Sequence, residues 1–530
     1  MSTSPPVLDV EMPQSKPTTG LQSTMRCAPI LPMPSVTILQ RQGTLRIPPR
    51  LVMCALLAPW ILLIAFPASY QILFAVAILS FAAATVSSVE TAALAFVALS
   101  PLHGIVRSAN PDALFLTIWK EILGVLLLVG WLLTTKRRMV SRAFQLIPTP
   151  LYLVVAIYLI QVVKSPDIPY FLAWLRQDFR FWALVPVYAS CALTSPRFGR
   201  KVLEWMLVGL AACSVLHLLA YYDLWQPYTA FGTDTTNRTV LGFDFKRLAG
   251  LGYFASSGLV DALAPGVVIS LLLAISRRSA CWMLVCLCIW SAGFLTLSHS
   301  LLIVISLGFG ALVLWTVSLQ KRRMRPYALL IYAITPICVL ALLFAGIIGE
   351  SSEESVWARI RDEMGVYVDR LPLDTFGHFL IGDRLLITGV KGVAAEHQED
   401  VTELVDSGYA SVVRVLGVPA GSFVLCCPVW IAWRAVRAIR MRGRLGRLKT
   451  PYATSVLGLM LVAYISSFGA IHIVPWSEYS GPDVTFVALA GCILGLGCGV
   501  GQNHHRVVLS VTGYDGASRV SLAAAARDGI

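Results

Sequence analysis

Stretches of apolar residues long enough to cross a lipid bilayer recur along most of this sequence, and they constrain its fold more than any other feature. A helix that crosses the hydrocarbon core needs roughly 20 apolar residues. Lipid offers no hydrogen-bonding partner to backbone amide and carbonyl groups, so a spanning segment must be a helix or part of a closed barrel. These stretches are continuous rather than alternating between apolar and polar residues, which favours helices. The sequence therefore predicts an all-α membrane protein.

The composition agrees with that prediction. Of the 530 residues, 57% are hydrophobic and only 13% are charged, whereas a soluble domain of this length needs more charge to cover its surface. We predict a polytopic helix bundle at residues 51–501. Its fourteen or so spans lie at residues 51–69, 71–88, 91–105, 113–134, 146–163, 179–194, 202–221, 257–276, 281–297, 300–319, 327–348, 411–433, 451–470 and 484–501.

The two ends of the chain have a different character from the bundle. Residues 1–50 are rich in proline, serine and threonine, and they lack the short apolar core and cleavage site of a removed signal peptide. This pattern predicts a disordered cytoplasmic tail. Residues 502–530 are predicted to form a second cytoplasmic tail.

The distribution of basic residues predicts the orientation. If alternate loops are assigned to one side, that side carries 28 of the 42 Lys and Arg residues, many of them in short loops such as 136–142 and 321–325. Basic residues in short loops mark the cytoplasmic face. We therefore predict a bacterial inner-membrane protein with both termini in the cytoplasm. The net charge of +13 is explained by this asymmetry, so no nucleic-acid partner is expected.

No sequence motif indicates a metal, a nucleotide or a disulfide framework. None of the twelve cysteines lies in a segment predicted to be outside the cytoplasm, and no hydrophilic pair has the spacing of metal ligands. Motifs of P-loop proteins, zinc proteases and serine hydrolases are absent as well. We expect no metal and no cofactor.

Three segments are predicted to be extracytoplasmic, and all three carry arginine. They cover residues 164–178, 223–257 and the large periplasmic loop at 349–408. Guanidinium groups bind phosphate through two parallel hydrogen bonds, so together they suggest a cavity for an anionic, lipid-linked substrate. Alternatively, individual arginines reach toward lipid headgroups, and the large loop only caps the bundle. The candidate phosphate-binding residues are Arg176, Arg180, Arg247, Arg359 and Arg384.

Three ionisable residues near or inside the predicted spans are further candidates. His299 lies between the ninth and tenth spans, where its imidazole is either an acid–base group or a structural residue. Lys120 and Asp261 lie inside spans, where a charge is costly and marks a functional site or a contact that locks the bundle.

The order of several short motifs resembles the O-antigen ligase and Wzy-type polysaccharide polymerase superfamily. The match covers roughly residues 170–435. Its motifs are Arg247–Gly250 (RLAG), Leu295–Ser300 (LTLSHS), Phe379–Gly382 (FLIG), Asp406–Tyr409 (DSGY) and Val415–Gly421 (VLGVPAG).

The resemblance implies a membrane glycosyltransferase with a GT-C-like helix bundle, acting without metal or nucleotide on glycans linked to undecaprenyl diphosphate. Arg247 matches the family arginine that holds the diphosphate. His299 stands where the family has a second arginine, which leaves the cationic role at that position open. Asp406 stands where ligases have histidine followed by asparagine. An aspartate there is more similar to the polymerases and implies either a general base or a group that holds the loop.

The sequence thus favours a polymerase of lipid-linked repeat units of exopolysaccharide or O-antigen. The alternatives are a ligase that transfers a finished glycan to an acceptor, a transporter or flippase, and a structural membrane subunit. The expected partners are the undecaprenyl-diphosphate-linked glycan, membrane lipids, a flippase and a chain-length regulator.

Overall fold

A computed structural model describes most of the chain between residues 49 and 497. The described residues are 49–108, 110, 113–179, 181–222, 224, 235–240, 243–248, 266, 269–270, 273, 279–296, 375–382, 385, 408–444, 451–470 and 484–497. The predicted N-terminal tail at 1–50 lies outside them except for Pro49 and Arg50, which begin the first helix. The predicted tail at 502–530 and the predicted spans at 300–319 and 327–348 also lie outside them.

Helices account for almost all of the described residues, as the sequence predicts. The α-helices are α1 (Pro49–Ala65), α2 (Tyr70–Ser87), α3 (Val89–Leu99), α4 (His103–Ser108), α5 (Leu114–Thr117), α6 (Trp119–Thr134), α7 (Arg137–Leu146), α8 (Thr149–Ile160), α9 (Ile168–Phe179), α10 (Val185–Thr194), α11 (Pro196–Tyr221), α12 (Ala280–Thr296), α13 (Phe376–Ile381), α14 (Gly408–Leu416), α15 (Val418–Arg444), α16 (Pro451–Ala470) and α17 (Val484–Gly497). Short 3₁₀ turns lie at Pro67–Ser69, Ser100–Leu102, Gln161–Lys164 and Trp182–Leu184.

One β-hairpin adds to the predicted all-α architecture. Strands β1 (Thr235–Val240) and β2 (Phe243–Leu248) pair antiparallel, with Arg238 opposite Phe245 and Thr236 opposite Arg247. The sequence predicted only a loop for this segment. Its threonines, valine and phenylalanines are residue types that favour strands.

Two described helices are long and apolar enough to cross a membrane, namely Tyr70–Ser87 and Val418–Arg440. A third span results if α7 and the segment Thr149–Lys164 are counted together, although they are bent by 85°. Shorter apolar helices lie at Val52–Ala65, Val89–Leu102, Trp182–Thr194, Ala280–Ile289, Val456–Ile465 and Val484–Gly497. These helices are compatible with a membrane protein, and the total of about fourteen spans stays a prediction.

The surface of α2 is compatible with a lipid environment. Its buried face packs Phe74, Ala77 and Phe81 against the neighbouring helices. Its opposite face exposes Ile72 and Leu79 by 71% and 70%. Water around such a continuous apolar face is unfavourable, whereas the acyl chains of a bilayer are a favourable surrounding.

Helix α7 differs from the short cytoplasmic loop that the sequence predicted at 136–142. It continues as a regular helix to Leu146. Ala143 and Leu146 are buried, and the Phe144 ring lies 6.0 Å from the ring of Trp131. A ten-residue helix with one apolar and one basic face is typical of a segment that lies along a membrane surface.

Small residues allow the helices of the bundle to approach closely. A Cβ atom added to Gly209 of α11 would collide with the carbonyl oxygen of Ala98 in α3. One added to Gly495 of α17 would collide with the carbonyl oxygen of Ala189 in α10. Close backbone contacts at small residues are the usual basis of helix packing in membranes, where the hydrophobic effect between helices is missing.

Candidate functional site

The two glycines Gly382 and Gly417 form a backbone contact between segments 35 positions apart in the sequence. Gly382 follows α13, and Gly417 separates α14 from α15. Their φ angles are +79° and +82°, a region that favours glycine. A Cβ atom on Gly417 would lie 2.5 Å from the carbonyl oxygen of Leu380 and 2.8 Å from the amide nitrogen of Gly382. We refer to Gly382, Gly417 and their direct contacts as the glycine junction.

Local sequence explains how α13 reaches this contact. The Thr375 hydroxyl accepts a hydrogen bond from the amide of His378 at 3.1 Å and so caps the first turn. The Gly382 amide donates to the carbonyl of His378 at 2.8 Å and closes the last turn. A threonine at the start and a glycine just past the end are the expected boundaries of a short helix.

Helix α14 lies tightly against the beginning of α15. The amide of Gly421 donates to the carbonyl of Gly417 at 2.8 Å, which closes the first turn of α15. A Cβ atom on Gly421 would lie 2.7 Å from the Cα atom of Val413. The chain therefore turns sharply at Gly417, and the two helices meet without room for a side chain at position 421.

Two side chains from the segment before α9 and from α9 itself bind to this region. The Lys164 ammonium donates a hydrogen bond to the carbonyl of Val415. The Tyr170 hydroxyl donates to the carbonyl of Leu385 at 2.7 Å, and this bond is buried. Asp167 fixes the start of α9, because its carboxylate accepts from the Tyr170 amide at 2.6 Å. The first and third predicted outer segments therefore meet at the glycine junction.

Three of the predicted site residues belong to the segments that converge here. Arg176 is on α9, although the structure describes only its backbone. Arg384 precedes Leu385, and Asp406 lies two positions before the first residue of α14. Arg384 and Asp406 themselves lie outside the described residues, as do Arg180 and Arg359.

The structure places Arg247, another predicted residue, on a different element. Arg247 lies on β2, opposite Thr236. Strand β2 packs against α12, which ends at Thr296. His299 follows three positions later and lies outside the described residues. The hairpin and α12 thus bring the Arg247 motif close to the helix that leads into the His299 motif.

Two basic residues near the glycine junction were not among the site residues predicted from the sequence. Arg414 of α14 is only 8% exposed and has interaction partners within the structure. It lies inside the predicted span at 411–433, and a charge within a span is the signal that could have found it. Lys164 lies in the first predicted outer segment, where the sequence predicted no role for it. Its contact with Val415 joins positions 251 residues apart, so the sequence around Lys164 does not indicate it.

Lys120, which the sequence predicted to be either a functional residue or a contact that locks the bundle, is fully buried on α6. Its side chain is 0% exposed and has interaction partners within the structure. Gly124, one helical turn after Lys120, faces the side chains of Phe181 and Leu184. Asp261, its suggested partner, lies outside the described residues, so the choice between a functional and a locking role stays open.

Within the described part of the chain, no group of three or more His, Cys, Asp or Glu side chains is arranged to hold a metal ion. The chain matches no known family model and no curated protein sequence.

Proposed function

We propose that this protein polymerises oligosaccharide repeat units linked to undecaprenyl diphosphate into exopolysaccharide or O-antigen. The reaction takes place at the outer face of the bacterial inner membrane. The apolar helices supply the membrane anchor, and the glycan stays attached to its lipid carrier until transfer.

The observation that carries this proposal is the contact between Gly382 and Gly417. These residues belong to two of the short motifs that resemble the polymerase and ligase superfamily, FLIG at 379–382 and VLGVPAG at 415–421. The resemblance rests on the order and spacing of these short motifs in the sequence. Two of these motifs are in contact through glycines with positive φ. This contact argues against a chance match.

The docking of Lys164 and Tyr170 supports the same function. It holds the start of α9, the helix that carries Arg176, against Leu385 of the large loop and against Val415 of α14. Leu385 follows Arg384 directly, and Asp406 lies nine positions before Val415. A lipid diphosphate carries more negative charge and more acceptor oxygens than one guanidinium group can pair, so several cations from separate segments favour its binding. The remaining cations of the proposed set are Arg180, Arg247 and Arg359.

In the proposed reaction, a hydroxyl oxygen of the acceptor repeat unit bonds to the anomeric carbon of the donor glycan. The bond between that carbon and the diphosphate oxygen breaks, and its electron pair leaves with undecaprenyl diphosphate. Asp406 takes the hydroxyl proton as general base. Arg247 and its companions neutralise the charge that develops on the leaving diphosphate, and His299 assists as a proton carrier near it.

Reconstituted protein tests this function directly. Full-length protein in proteoliposomes is given the lipid-linked repeat unit, and the glycan length and the released undecaprenyl diphosphate are measured. We expect a ladder of longer glycans, with the rate reduced roughly a hundredfold in Arg247→Ala and in Asp406→Asn. Arg437→Ala, which changes an exposed arginine near the end of α15, is the control and keeps the wild-type rate.

The outcomes separate the alternatives as well. Failure of the wild-type protein to lengthen the glycan, or full activity of both site variants, contradicts the proposal. Transfer only to a distinct acceptor identifies a ligase, and movement of the glycan across the bilayer without lengthening identifies a transporter. In cells, loss of a polymerase leaves single repeat units, whereas loss of a ligase leaves long chains on the lipid carrier.

A further inference from the structure

A cluster of basic residues surrounds the beginning of helix α7, at the bend between α6 and α8. Lys136, Arg137 and Arg138 are exposed, and Arg142 follows one turn after Arg138. Among the described residues, no acidic side chain pairs with any of these four cations. The sequence offers no acidic residue between Glu121 and Asp167 either. Within the described part of the chain, this charge therefore has no counterion.

The helix itself adds to the positive potential at this position. No side chain caps α7, and its first turn contains no acidic residue. The amino end of a helix carries a partial positive charge. Basic residues at that end add to this positive charge, whereas acidic residues would neutralise it. An anion would be bound by both the free amides and the side chains.

Arg142 extends the same basic face of α7, because it lies one helical turn after Arg138 and is partly exposed. Its charge adds to the attraction that this face exerts on an anionic group at the membrane surface.

The surroundings of the cluster are apolar and exposed, which points to a lipid. At the end of α6, Leu133 is 77% exposed, and Tyr152 at the start of α8 is 46% exposed. Tyr152 donates a hydrogen bond to the carbonyl of Phe144 at 2.7 Å, which holds α7 against α8 at the bend. Acyl chains fit against this surface while a phosphate lies at the basic end of α7.

We propose that the bend between α6, α7 and α8 binds the headgroup phosphate of an anionic phospholipid from the adjacent leaflet. Positive charge favours an anionic lipid over a zwitterionic one, because attraction to anionic headgroups increases with each basic residue near the surface. The lipid fixes α7 in the membrane plane and so stabilises the sharp turn into α8. This site is independent of the proposed glycan chemistry.

Native mass spectrometry of the full-length protein in detergent tests the proposal. Palmitoyl-oleoyl phosphatidylglycerol and phosphatidylcholine with the same acyl chains are titrated separately, and the dissociation constant of the first bound lipid is measured. We expect phosphatidylglycerol to bind more tightly to the wild type. Arg137→Gln with Arg138→Gln should weaken it by roughly tenfold or more.

Two further variants separate the site from folding and from general charge. Arg137→Lys with Arg138→Lys keeps both charges and should keep the lipid. Arg437→Gln with Arg440→Gln removes the same charge from exposed positions of α15 and should not affect the first bound lipid.

Any of four results would overturn the proposal. The first is equal binding of both lipids, and the second is unchanged phosphatidylglycerol binding in the Arg137→Gln, Arg138→Gln variant. The third is an equal loss of binding in the α15 variant. Thermal protection by inorganic phosphate that equals protection by the lipid would also contradict a lipid site, since it would indicate a site for a free anion.

Discussion

The backbones of Gly382 and Gly417 meet so closely that neither position has space for a Cβ atom. Each glycine has a positive φ, and each lies at the end of a helix. This contact ties the middle of the large predicted outer loop to the point where α14 turns into α15. It therefore decides which chain segments can share a site.

Replacement of Gly417 by alanine should destabilise the protein. The added Cβ atom would lie 2.5 Å from the Leu380 carbonyl oxygen, and alanine is strained at a φ of +82°. Strain and overpacking together cost about 2–4 kcal/mol. The expected result is a lower midpoint of thermal unfolding in detergent and, if the proposed function is right, slower glycan lengthening.

Gly377→Ala is the matched control for that substitution. Gly377 lies in the same region on α13, but the nearest atom to an added Cβ is the Thr375 hydroxyl oxygen at 3.9 Å. Alanine is also the better helix former. An unfolding midpoint at or above that of the wild type is expected, and equal losses in both variants would argue against the glycine junction.

Removal of the Tyr170 hydroxyl should weaken the docking of α9. In Tyr170→Phe the buried carbonyl of Leu385 loses its donor, which costs about 1–1.5 kcal/mol. Tyr464→Phe is the counterpart, because the buried hydroxyl of Tyr464 has no partner among the described residues. We expect a lower unfolding midpoint for the first variant and an unchanged or higher one for the second. The reverse order would show that the Tyr170 bond is not formed.

The hydrogen bond between Trp131 and Ser190 makes a similar test inside the bundle. The Trp131 indole donates to the Ser190 hydroxyl at 2.8 Å, in a buried position between α6 and α10. Ser190→Ala leaves that indole without its acceptor, at a cost of about 1–3 kcal/mol. Ser214→Ala removes a buried hydroxyl that has no partner in the described part of the chain and should be neutral. Thermal unfolding of both variants side by side measures the difference.

Gly209 should tolerate no larger residue where α11 crosses α3. Its added Cβ atom would lie 2.9 Å from the carbonyl carbon of Ala98, so Gly209→Ala forces the helices apart at a cost of about 1–3 kcal/mol. Gly124→Ala is the control, since its Cβ atom would make ordinary contacts of 3.7 Å with Phe181 and Leu184. A fully stable Gly209→Ala protein would contradict the close approach of α11 and α3.

Much of the helical content could be predicted from the sequence. The predicted span at 451–470 coincides with α16, and the span at 71–88 differs from α2 by one residue at each end. The agreement has a physical basis, because a continuous apolar stretch in lipid has few alternatives to a helix. The bend of 85° before α8 was not predicted. At the bend, Ile147 is extended before Pro148, as expected for a residue that precedes proline.

The candidate site could be predicted only in part. Sequence motifs indicated Arg247 and Asp406, and the basic residues of the first outer segment indicated Arg176. The sequence did not reveal that Lys164 contacts Val415 or that Arg414 is buried. The hairpin that carries Arg247 was missed as well. Its strands are short, and a polar, threonine-rich segment resembles a loop when single positions are considered.

The sequence by itself determined that this chain is built of apolar helices, and it determined where the basic residues lie along them. Those properties follow from the transfer of each segment between water and lipid, which depends on local composition. The tertiary structure decided which segments meet, as in the pairing of Tyr170 with Leu385 across 215 positions and of Gly382 with Gly417. Such contacts depend on the shape and hydrogen bonding of both partners at once, so neither partner's own segment encodes them.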